Sequence, residues 1–266
     1  MEFVEVTYFG QMLWLPSAPA YDWARAALAR NRLERRTFAA LAKYLDKRTD
    51  YIDIGGWIGA LAFWAERYAK SVTIVEPDPV SYQILLEGAR KNGSKAKIIN
   101  AALSPEDRVT LRTHCAFGSS ESSILIGDEG SVVVPTVKIR DLLGRDQAFL
   151  KIDIEGYEYF LGSELGAFDD ARIKGVHLSL HPQILRRTLR GSVLKRNAEV
   201  AAKTWRMRNL SPRLRLSRIA YFNFAYHCLR RCLLRNEPSG RDLLFGGVSD
   251  LTGNIPRCSS VALPDN

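Results

Sequence analysis

Two short stretches of the chain combine an apolar strand with an acidic residue at its end. Tyr51–Ile54 is apolar apart from Asp53, and Val72–Val75 is followed directly by Glu76. The first stretch continues into a glycine-rich turn that contains Gly55, Gly56 and Gly59. Glycines let the backbone pass close to a bulky ligand. An acid at the tip of the next strand is placed to accept both ribose hydroxyls of a nucleoside.

The spacing of the glycines narrows the choice of cofactor. The turn is Gly-Gly-x-x-Gly and lacks the G-x-G-x-x-G spacing that cradles a pyrophosphate. Asp53 would repel a diphosphate, whereas it could hold the ammonium of an amino-acid tail. This combination favours S-adenosylmethionine over a dinucleotide. We therefore predict four S-adenosylmethionine-binding residues here: Asp53, Gly55, Gly59 and Glu76.

A second acidic pair, Asp153 and Glu155, stands at the end of the apolar stretch Phe149–Ile154. Residues two apart on a strand point the same way, so both carboxylates could face one cleft. Methyl transfer requires an acceptor oxygen aligned with the sulfonium methyl group and removal of the acceptor's proton. A carboxylate could take that proton, or could hold a divalent metal that acidifies the hydroxyl. We predict both residues as catalytic and assign no metal ligand.

The alternative for this pair is structural. Glu155 could pair with Lys151 or cap the following helix, and Asp153 could only order the cofactor. Glu158 is interpreted as a first-turn residue that complements the helix dipole.

His181 follows the apolar stretch Val176–Leu180 and precedes Pro182. An imidazole at a strand end could serve as a general base near neutral pH, and we include His181 among the catalytic candidates. Equally, it could only fix the turn before Pro182.

Strand-like and helical stretches alternate along the chain. The strand-like stretches are Tyr51–Ile54, Val72–Val75, Ala96–Ile99, Phe149–Ile154 and Val176–Leu180, with Val109–Thr113 and Val132–Ile139 between the third and fourth. The helical patterns are Tyr21–Leu45, Ala60–Tyr68, Pro79–Lys91 and Tyr157–Leu165. This alternation predicts an α/β fold with a doubly wound, mostly parallel, Rossmann-like sheet and flanking helices. The carboxyl ends of its strands would bring together Asp53, Glu76, Asn100 and Asp153, so Asn100 joins the cofactor-binding candidates.

Four parts are predicted along the chain. They are an N-terminal hairpin and helix cap (1–48), a Rossmann-like cofactor-binding core (49–182), a basic helical segment (183–238) and C-terminal strands that complete the sheet (239–266).

Several motifs resemble the FkbM family of S-adenosylmethionine-dependent methyltransferases, in the class I Rossmann-like group. They are Asp53–Gly59, Val75–Pro79, Ala101–Ser104, Thr136–Leu143 and Leu150–Glu158, within roughly residues 49–182. The resemblance implies methylation of a hydroxyl, often on a sugar or a polyketide-like acceptor. It also adds Asp78, next to the strand-end acid, to the cofactor-binding candidates. The chain departs from the family at Trp57, where the family usually has Asn.

Composition fits an ordinary globular enzyme. The chain has 266 residues, of which 46% are hydrophobic, enough for one large core. It shows no secretory signal pattern and no stretch of about eighteen uncharged apolar residues. Its four cysteines lack C-x-x-C spacing and are interpreted as reduced thiols. The alternative is a zinc site at Cys228 and Cys232, which would share a helical face with His227 beside them. We expect a cytoplasmic protein, at most peripheral to the inner face of a membrane.

Positive charge is concentrated between Arg186 and Arg235. This basic segment has 14 Lys or Arg and a single acid, Glu199, so its net charge is +13. Because the net charge of the whole chain is +9, the rest of the chain has a net charge of −4. It could be a solvated face, or it could bind an anionic membrane, a phosphate-bearing glycan carrier or a nucleic acid. Because apolar residues accompany the charges, a membrane or lipid-linked glycan is favoured over RNA.

Together these patterns predict a methyltransferase that acts on a hydroxyl oxygen of a sugar, glycan, lipid-linked or secondary-metabolite acceptor. One alternative is an RNA methyltransferase that docks through the basic segment, although an Asn/Asp-Pro-Pro-Tyr/Phe motif is missing from the sequence. Another is a non-catalytic binding protein with the same fold, for which Trp57 is the best argument. The sequence indicates no oligomeric state.

Overall fold

The structure is a computed structural model that describes residues 1–113, 116–120 and 122–207, together with the backbone of two short strands, 215–216 and 241–246. The N-terminal part forms an antiparallel hairpin and two helices: β1 (Phe3–Tyr8), β2 (Gln11–Pro16), α1 (Asp22–Ala29) and α2 (Arg35–Tyr44). The two helices replace the single helix predicted over Tyr21–Leu45. They are separated by a turn in which Asn31 and Glu34 have left-handed backbone conformations, with φ of 51° and 53°.

The core and C-terminal part follow in alternation. The elements are β3 (Thr49–Ile54), α3 (Ala60–Ala65), β4 (Ser71–Val75), α4 (Pro79–Asn92), β5 (Lys97–Ile99), β6 (Ala102–Leu103), β7 (Arg108–Thr113), β8 (Gly130–Val137), α5 (Ile139–Leu142), β9 (Gln147–Ile152), β10 (Ile173–Leu180), α6 (Pro182–Thr188), α7 (Val193–Arg206), β11 (Arg215–Leu216) and β12 (Arg241–Gly246). Two 3₁₀ helices, Tyr157–Phe160 and Gly162–Asp169, stand where an α-helix was predicted over Tyr157–Leu165.

The central sheet has the strand order β11-β12-β10-β9-β3-β4-β5. Strands β3, β4, β5, β9 and β10 are parallel to their neighbours within this group. The chain runs outward through β4 and β5 and then returns to β9 on the other side of β3. The strand order therefore reverses between β3 and β9, which is where ligands bind in open α/β sheets. The predicted doubly wound α/β fold is confirmed.

Both faces of the sheet are covered. Because side chains alternate along a strand, Ile52 and Ile54 pack into one cluster with Phe168, whereas Tyr51 packs into the other. The second cluster includes side chains from the N-terminal hairpin and α2. The predicted stretches Val109–Thr113 and Val132–Ile139 contribute to a separate small sheet of order β6-β8-β7.

At the other edge of the sheet, β12 pairs antiparallel with β10, and β11 pairs antiparallel with β12. Of the basic segment, residues 186–207 and the strand 215–216 are described, and its remaining residues lie outside the described part of the chain. The boundaries between the four predicted parts stay a prediction. Among the described residues, every helix is too short or too polar to cross a membrane.

Candidate active site

A cavity of about 460 Å³ opens at the carboxyl ends of the parallel strands, within the size range of small-molecule sites. Its lining contains six of the nine site residues predicted from the sequence: Asp53, Gly55, Glu76, Asp153, Glu155 and His181. Gly59 precedes α3 as its N-cap residue, with φ of 79°, and its two neighbours Ile58 and Ala60 line the cavity. The strand ends thus bring both predicted clusters to one place.

The glycines of the turn are required by the packing of the sheet itself. A Cβ atom on Gly55 would lie 1.8 Å from the carbonyl oxygen of Asp153, and one on Gly56 would lie 2.2 Å from Ile74 Cγ2. Gly55 also has a left-handed backbone, with φ of 82°. The turn is therefore fixed between β3, β4 and β9, and its position does not depend on a bound ligand.

Trp57 occupies the next position with φ of 48°, a conformation that Asn adopts more readily than Trp. Three interactions hold it there. Its backbone N–H donates to Glu76 Oε2 (2.8 Å), and its indole Nε1–H donates to the Gly118 carbonyl (3.0 Å). Its ring stacks on Trp23, with centroids 5.6 Å apart. Trp57 both packs against its neighbours and lines the cavity.

Glu76 presents a carboxylate to the cavity from the end of β4. Its Oε1 accepts a hydrogen bond from the Asp78 backbone N–H (2.9 Å), and its Oε2 accepts the bond from Trp57. Burial raises the pKa of Glu76 to about 7, although the two backbone hydrogen bonds oppose that shift. The carboxylate is thus held in a fixed plane, with a further lone pair on each oxygen.

Asp78 and Asn100 are outside the lining of this cavity. Asp78 is fully buried: it caps α4 through the backbone N–H groups of Val80 and Ser81, and its other oxygen accepts from Gly118 N and Ser122 Oγ. The Asn100 amide donates to the carbonyls of Glu76 and Pro77. In this arrangement both residues shape the loops around the cavity and do not face it.

A buried lysine lies between the two clusters. Lys151 Nζ is 3.2 Å from Asp53 Oδ1 and 3.8 Å from Asp153 Oδ2, and it donates to the Gly55 carbonyl (2.8 Å). Burial would lower the pKa of Lys151, but the surrounding carboxylates, Asp53 first, outweigh burial and raise it. The sequence left open that Lys151 pairs with Glu155; in the structure its ion pairs are with Asp53 and Asp153. Burial raises the pKa of Asp53, and the lysine opposes that shift.

Asp153, Glu155 and His181 converge on one point at the cavity wall. His181 Nε2 is 3.4 Å from Asp153 Oδ1 and 3.7 Å from Glu155 Oε2. Burial would raise the pKa of Asp153, but the positive charges of Lys151 and His181 outweigh it and lower the pKa. Glu155 has φ of 50°, so it leaves the extended geometry of the strand before it reaches the cluster.

Glu158 holds His181 from the opposite side. Its side chain is fully buried, and its Oε1 lies 3.1 Å from His181 Nδ1 and accepts the Ile154 backbone N–H (3.0 Å). Burial would lower the pKa of His181, but Glu158, Glu155 and Asp153 outweigh burial and raise it to about 10. This shift favours the protonated imidazole at neutral pH, and the role of His181 as a general base stays a prediction.

The structure adds one lining residue that sequence reasoning missed. Glu34, in the turn between α1 and α2, faces the cavity with Thr37, whose hydroxyl donates to Glu34 Oε2 (2.7 Å). Burial raises the pKa of Glu34 to about 7, and Lys151 opposes that shift. Its neighbours in the sequence fit an uninterrupted helix, so no local signal marks it.

Comparisons with known proteins give distant structural likenesses. No family model matches the chain, and no curated protein matches it. The Escherichia coli protein yhhF, described as a methyltransferase, is similar at 12% identity over 92% of this chain and 98% of that chain, with a TM-score of 0.44. The methyltransferase FkbM from Methylobacillus flagellatus is similar at 14% identity over 84% of this chain and 55% of that chain, with a TM-score of 0.44.

A third solved structure is M. capricolum TrmK in complex with S-adenosyl-homocysteine. It shows 11% identity over 81% of this chain and 68% of that chain, with a TM-score of 0.37. Likenesses this distant assign neither a family nor a substrate to the chain.

Proposed function

We propose that this protein is an S-adenosylmethionine-dependent methyltransferase that acts on a hydroxyl oxygen of its acceptor. The observation that carries the proposal is the placement of Glu76. Its buried carboxylate is fixed by two backbone N–H groups at the end of β4, next to the glycine turn of β3. The catalytic candidates Asp153, Glu155 and His181 line the same cavity.

The cavity fits this cofactor in several respects. The remaining lone pairs of Glu76 can accept the two ribose hydroxyls. Acidic residues outnumber cationic residues in the lining of the cavity. The acids are Glu34, Asp53, Glu76, Asp153 and Glu155, and the cationic residues are Lys151 and His181. This excess of acids favours a ligand with net positive charge. The bound cofactor would supply an electrophilic methyl group on a sulfonium.

The residues of the cluster then have separable roles. The acceptor oxygen must lie in line with the bond from sulfur to methyl carbon. As the oxygen–carbon bond forms, the carbon–sulfur electron pair moves to sulfur, and the acceptor proton passes to a carboxylate of Asp153 or Glu155. His181, held by Glu158, orients these carboxylates. The proposed base is thus a carboxylate.

A sugar, glycan, lipid-linked or secondary-metabolite hydroxyl is the acceptor class that we propose. Trp23 supports it: the side chain is 53% exposed, lines the cavity and is stacked on Trp57. This pair offers a flat apolar face to an incoming ring, and the nearby carboxylates can accept its hydroxyl protons.

The proposed test has two stages. S-adenosylhomocysteine should bind the purified protein by isothermal titration calorimetry, and the Glu76→Ala variant should bind more weakly by about 1.5–3 kcal/mol. Methyl-labelled S-adenosylmethionine is then supplied with cell fractions of glycans, lipids and RNA. Label in an alkali-stable glycan or lipid ether supports the proposal. Label only in RNA would favour the RNA methyltransferase, and a protein that binds neither cofactor nor product would be a non-catalytic binding protein.

We also propose that the basic segment docks on an anionic membrane surface or lipid-linked glycan. In its described part, Val193 and Leu194 at the start of α7 are exposed, the latter by 75%, and exposed basic residues stand on either side of them: Arg187, Arg190 and Lys195. Apolar side chains among cations are typical of interfacial helices. This charge arrangement would orient the net acidic body away from the surface.

A further inference from the structure

We propose that Asp153, Glu155 and His181 form a binding site for a divalent transition-metal ion, Mn²⁺ or Zn²⁺. One ligand atom from each residue lies within 4.8 Å of the other two. Two of these separations are 3.4 and 3.7 Å, from His181 Nε2 to the two carboxylate oxygens. Ligands about 2.1 Å from a tetrahedral ion lie about 3.4 Å from one another, so small side-chain shifts suffice for coordination.

The histidine is oriented as a metal ligand would be. Its Nδ1 faces the fully buried carboxylate of Glu158 at 3.1 Å, which leaves Nε2 directed at Asp153 and Glu155. A carboxylate behind a ligating imidazole fixes its tautomer and ring orientation. Glu158 is anchored in turn by the Ile154 backbone N–H, so the ring cannot rotate without breaking that network.

The cluster also requires a cation between its members. Asp153 Oδ1 is buried and accepts no hydrogen bond from the described residues. The neighbouring charges are anionic on balance: Asp53, Glu34 and Glu158 lie around the cluster, and the positive side chains near it are Lys151 and His177. A divalent ion bound to His181 Nε2 and to the two carboxylates would supply that positive charge.

The ligand set selects among ions. Two carboxylates and one imidazole suit Mn²⁺ and Zn²⁺, whereas Mg²⁺ prefers oxygen ligands alone. Three protein ligands leave coordination positions open on the cavity side. Resting on the proposed function, the ion would lower the pKa of an acceptor hydroxyl that binds beside it. Asp153 and Glu155 would then hold the ion, so the hydroxyl proton would pass to water, in place of the carboxylate base of the metal-free site, as the oxygen–carbon bond forms and the carbon–sulfur pair moves to sulfur.

The test measures metal binding without turnover. Protein freed of metal with a chelator is titrated with Mn²⁺ and followed by electron paramagnetic resonance, which reports the loss of free Mn²⁺; Mg²⁺ and Zn²⁺ are titrated in competition. We expect one ion per chain, with Zn²⁺ displacing Mn²⁺ and Mg²⁺ competing poorly. Glu155→Gln, at a partly exposed position, should weaken Mn²⁺ binding at least about tenfold, and Glu158→Gln should weaken it by roughly 10–100-fold.

Glu106→Gln, an exposed glutamate away from the cavity, is the matched control and should leave Mn²⁺ binding unchanged. Circular dichroism checks that each variant is folded. Absence of saturable Mn²⁺ and Zn²⁺ binding, or equal Mn²⁺ binding by Glu155→Gln and Glu106→Gln, overturns the metal site.

A calorimetric titration with S-adenosylhomocysteine on the same metal-free protein separates the metal-site proposal from the proposed function. If the nucleoside binds and the metals do not, the metal site fails alone; the reverse result overturns the proposed function.

Discussion

Lys151 lies directly opposite Asp53 on the neighbouring parallel strand, with its ammonium 3.2 Å from the Asp53 carboxylate. Because paired residues point to the same face, the pairing of β3 with β9 joins the cofactor motif to the catalytic motif. The same ammonium contacts Asp153, two residues further along the chain. One buried cation therefore neutralises carboxylates of both motifs.

Removing this cation should destabilise the fold. Lys151→Met leaves Asp53 and Asp153 as buried carboxylates without their partner, and breaking a buried ion pair in this way costs about 3–5 kcal/mol. The control is Lys70→Met, which removes an exposed lysine paired with Asp146 and should cost no more than about 1 kcal/mol. Urea unfolding measures both. Similar losses in the two variants would show that Lys151 is not the central charge of the site.

The glycine turn allows a comparison of two glycines with nearly the same backbone. Gly55 and Gly10 have φ of 82° and 74°, but a Cβ at Gly55 meets the Asp153 carbonyl, whereas one at Gly10 meets nothing within 4 Å. Gly10→Ala should lower the free energy of unfolding only by the strain of a left-handed Ala, about 1–2 kcal/mol. Gly55→Ala should lower it by clearly more, because the backbone of β3 or β9 has to move. Thermal unfolding of the two variants measures this difference, and equal melting temperatures would contradict the close packing.

The carboxyl of Glu76, with a pKa of about 7, should make cofactor binding depend on pH. Its ionised form accepts the ribose hydroxyls, so the affinity for S-adenosylhomocysteine should fall as the pH drops through 7. Between pH 8 and pH 6 the loss should approach about tenfold, since one pKa unit corresponds to about 1.4 kcal/mol. Glu76→Gln should bind weakly and equally at both pH values. An equally steep pH profile in this variant would assign the effect to another group.

The stability of the ligand-free protein should show the opposite trend. A carboxyl whose pKa is raised on folding contributes stability that is fully present below its unfolded pKa, near 4.5, and is lost as the pH rises through about 7. Relative to Glu76→Gln, the wild-type protein should therefore lose stability between pH 5 and pH 8.

The sequence predicts strand ends well because each apolar run and its following acid are local features. Asp53, Glu76, Asp153 and His181 all reach one cavity for that reason. Glu34 could not be predicted, because a left-handed turn inside an otherwise helical pattern brings it to the cavity. The positions of Asp78 and Glu158 also depend on contacts between distant parts of the chain: Asp78 holds the Gly118 loop, and Glu158 holds His181.

Asp153→Asn separates chemistry from cofactor binding. The variant keeps the size of the side chain but loses the charge that contacts His181 and Lys151. Turnover should fall on the order of a hundredfold or more, while affinity for S-adenosylhomocysteine changes by only a few fold. Asp146→Asn, at an exposed position, serves as the control for both assays. An equal fall in turnover and affinity would make Asp153 a cofactor-pocket residue.

The basic segment should bind anionic vesicles through the described start of α7. Each basic residue near such a surface contributes about 1 kcal/mol, so losing three predicts binding weaker on the order of a hundredfold. The variant is Arg187→Glu/Arg190→Glu/Lys195→Glu, and the control reverses the same number of exposed charges on the body, Arg67→Glu/Lys95→Glu/Lys97→Glu. Flotation with phosphatidylserine vesicles at low salt measures binding, which should weaken at high salt because exposed charges are screened. Equal flotation of the two triple variants would show that the segment is not the docking surface. A parallel filter-binding assay measures binding to bulk RNA. If the wild-type protein binds RNA but not vesicles, the result contradicts the membrane proposal and favours the RNA methyltransferase.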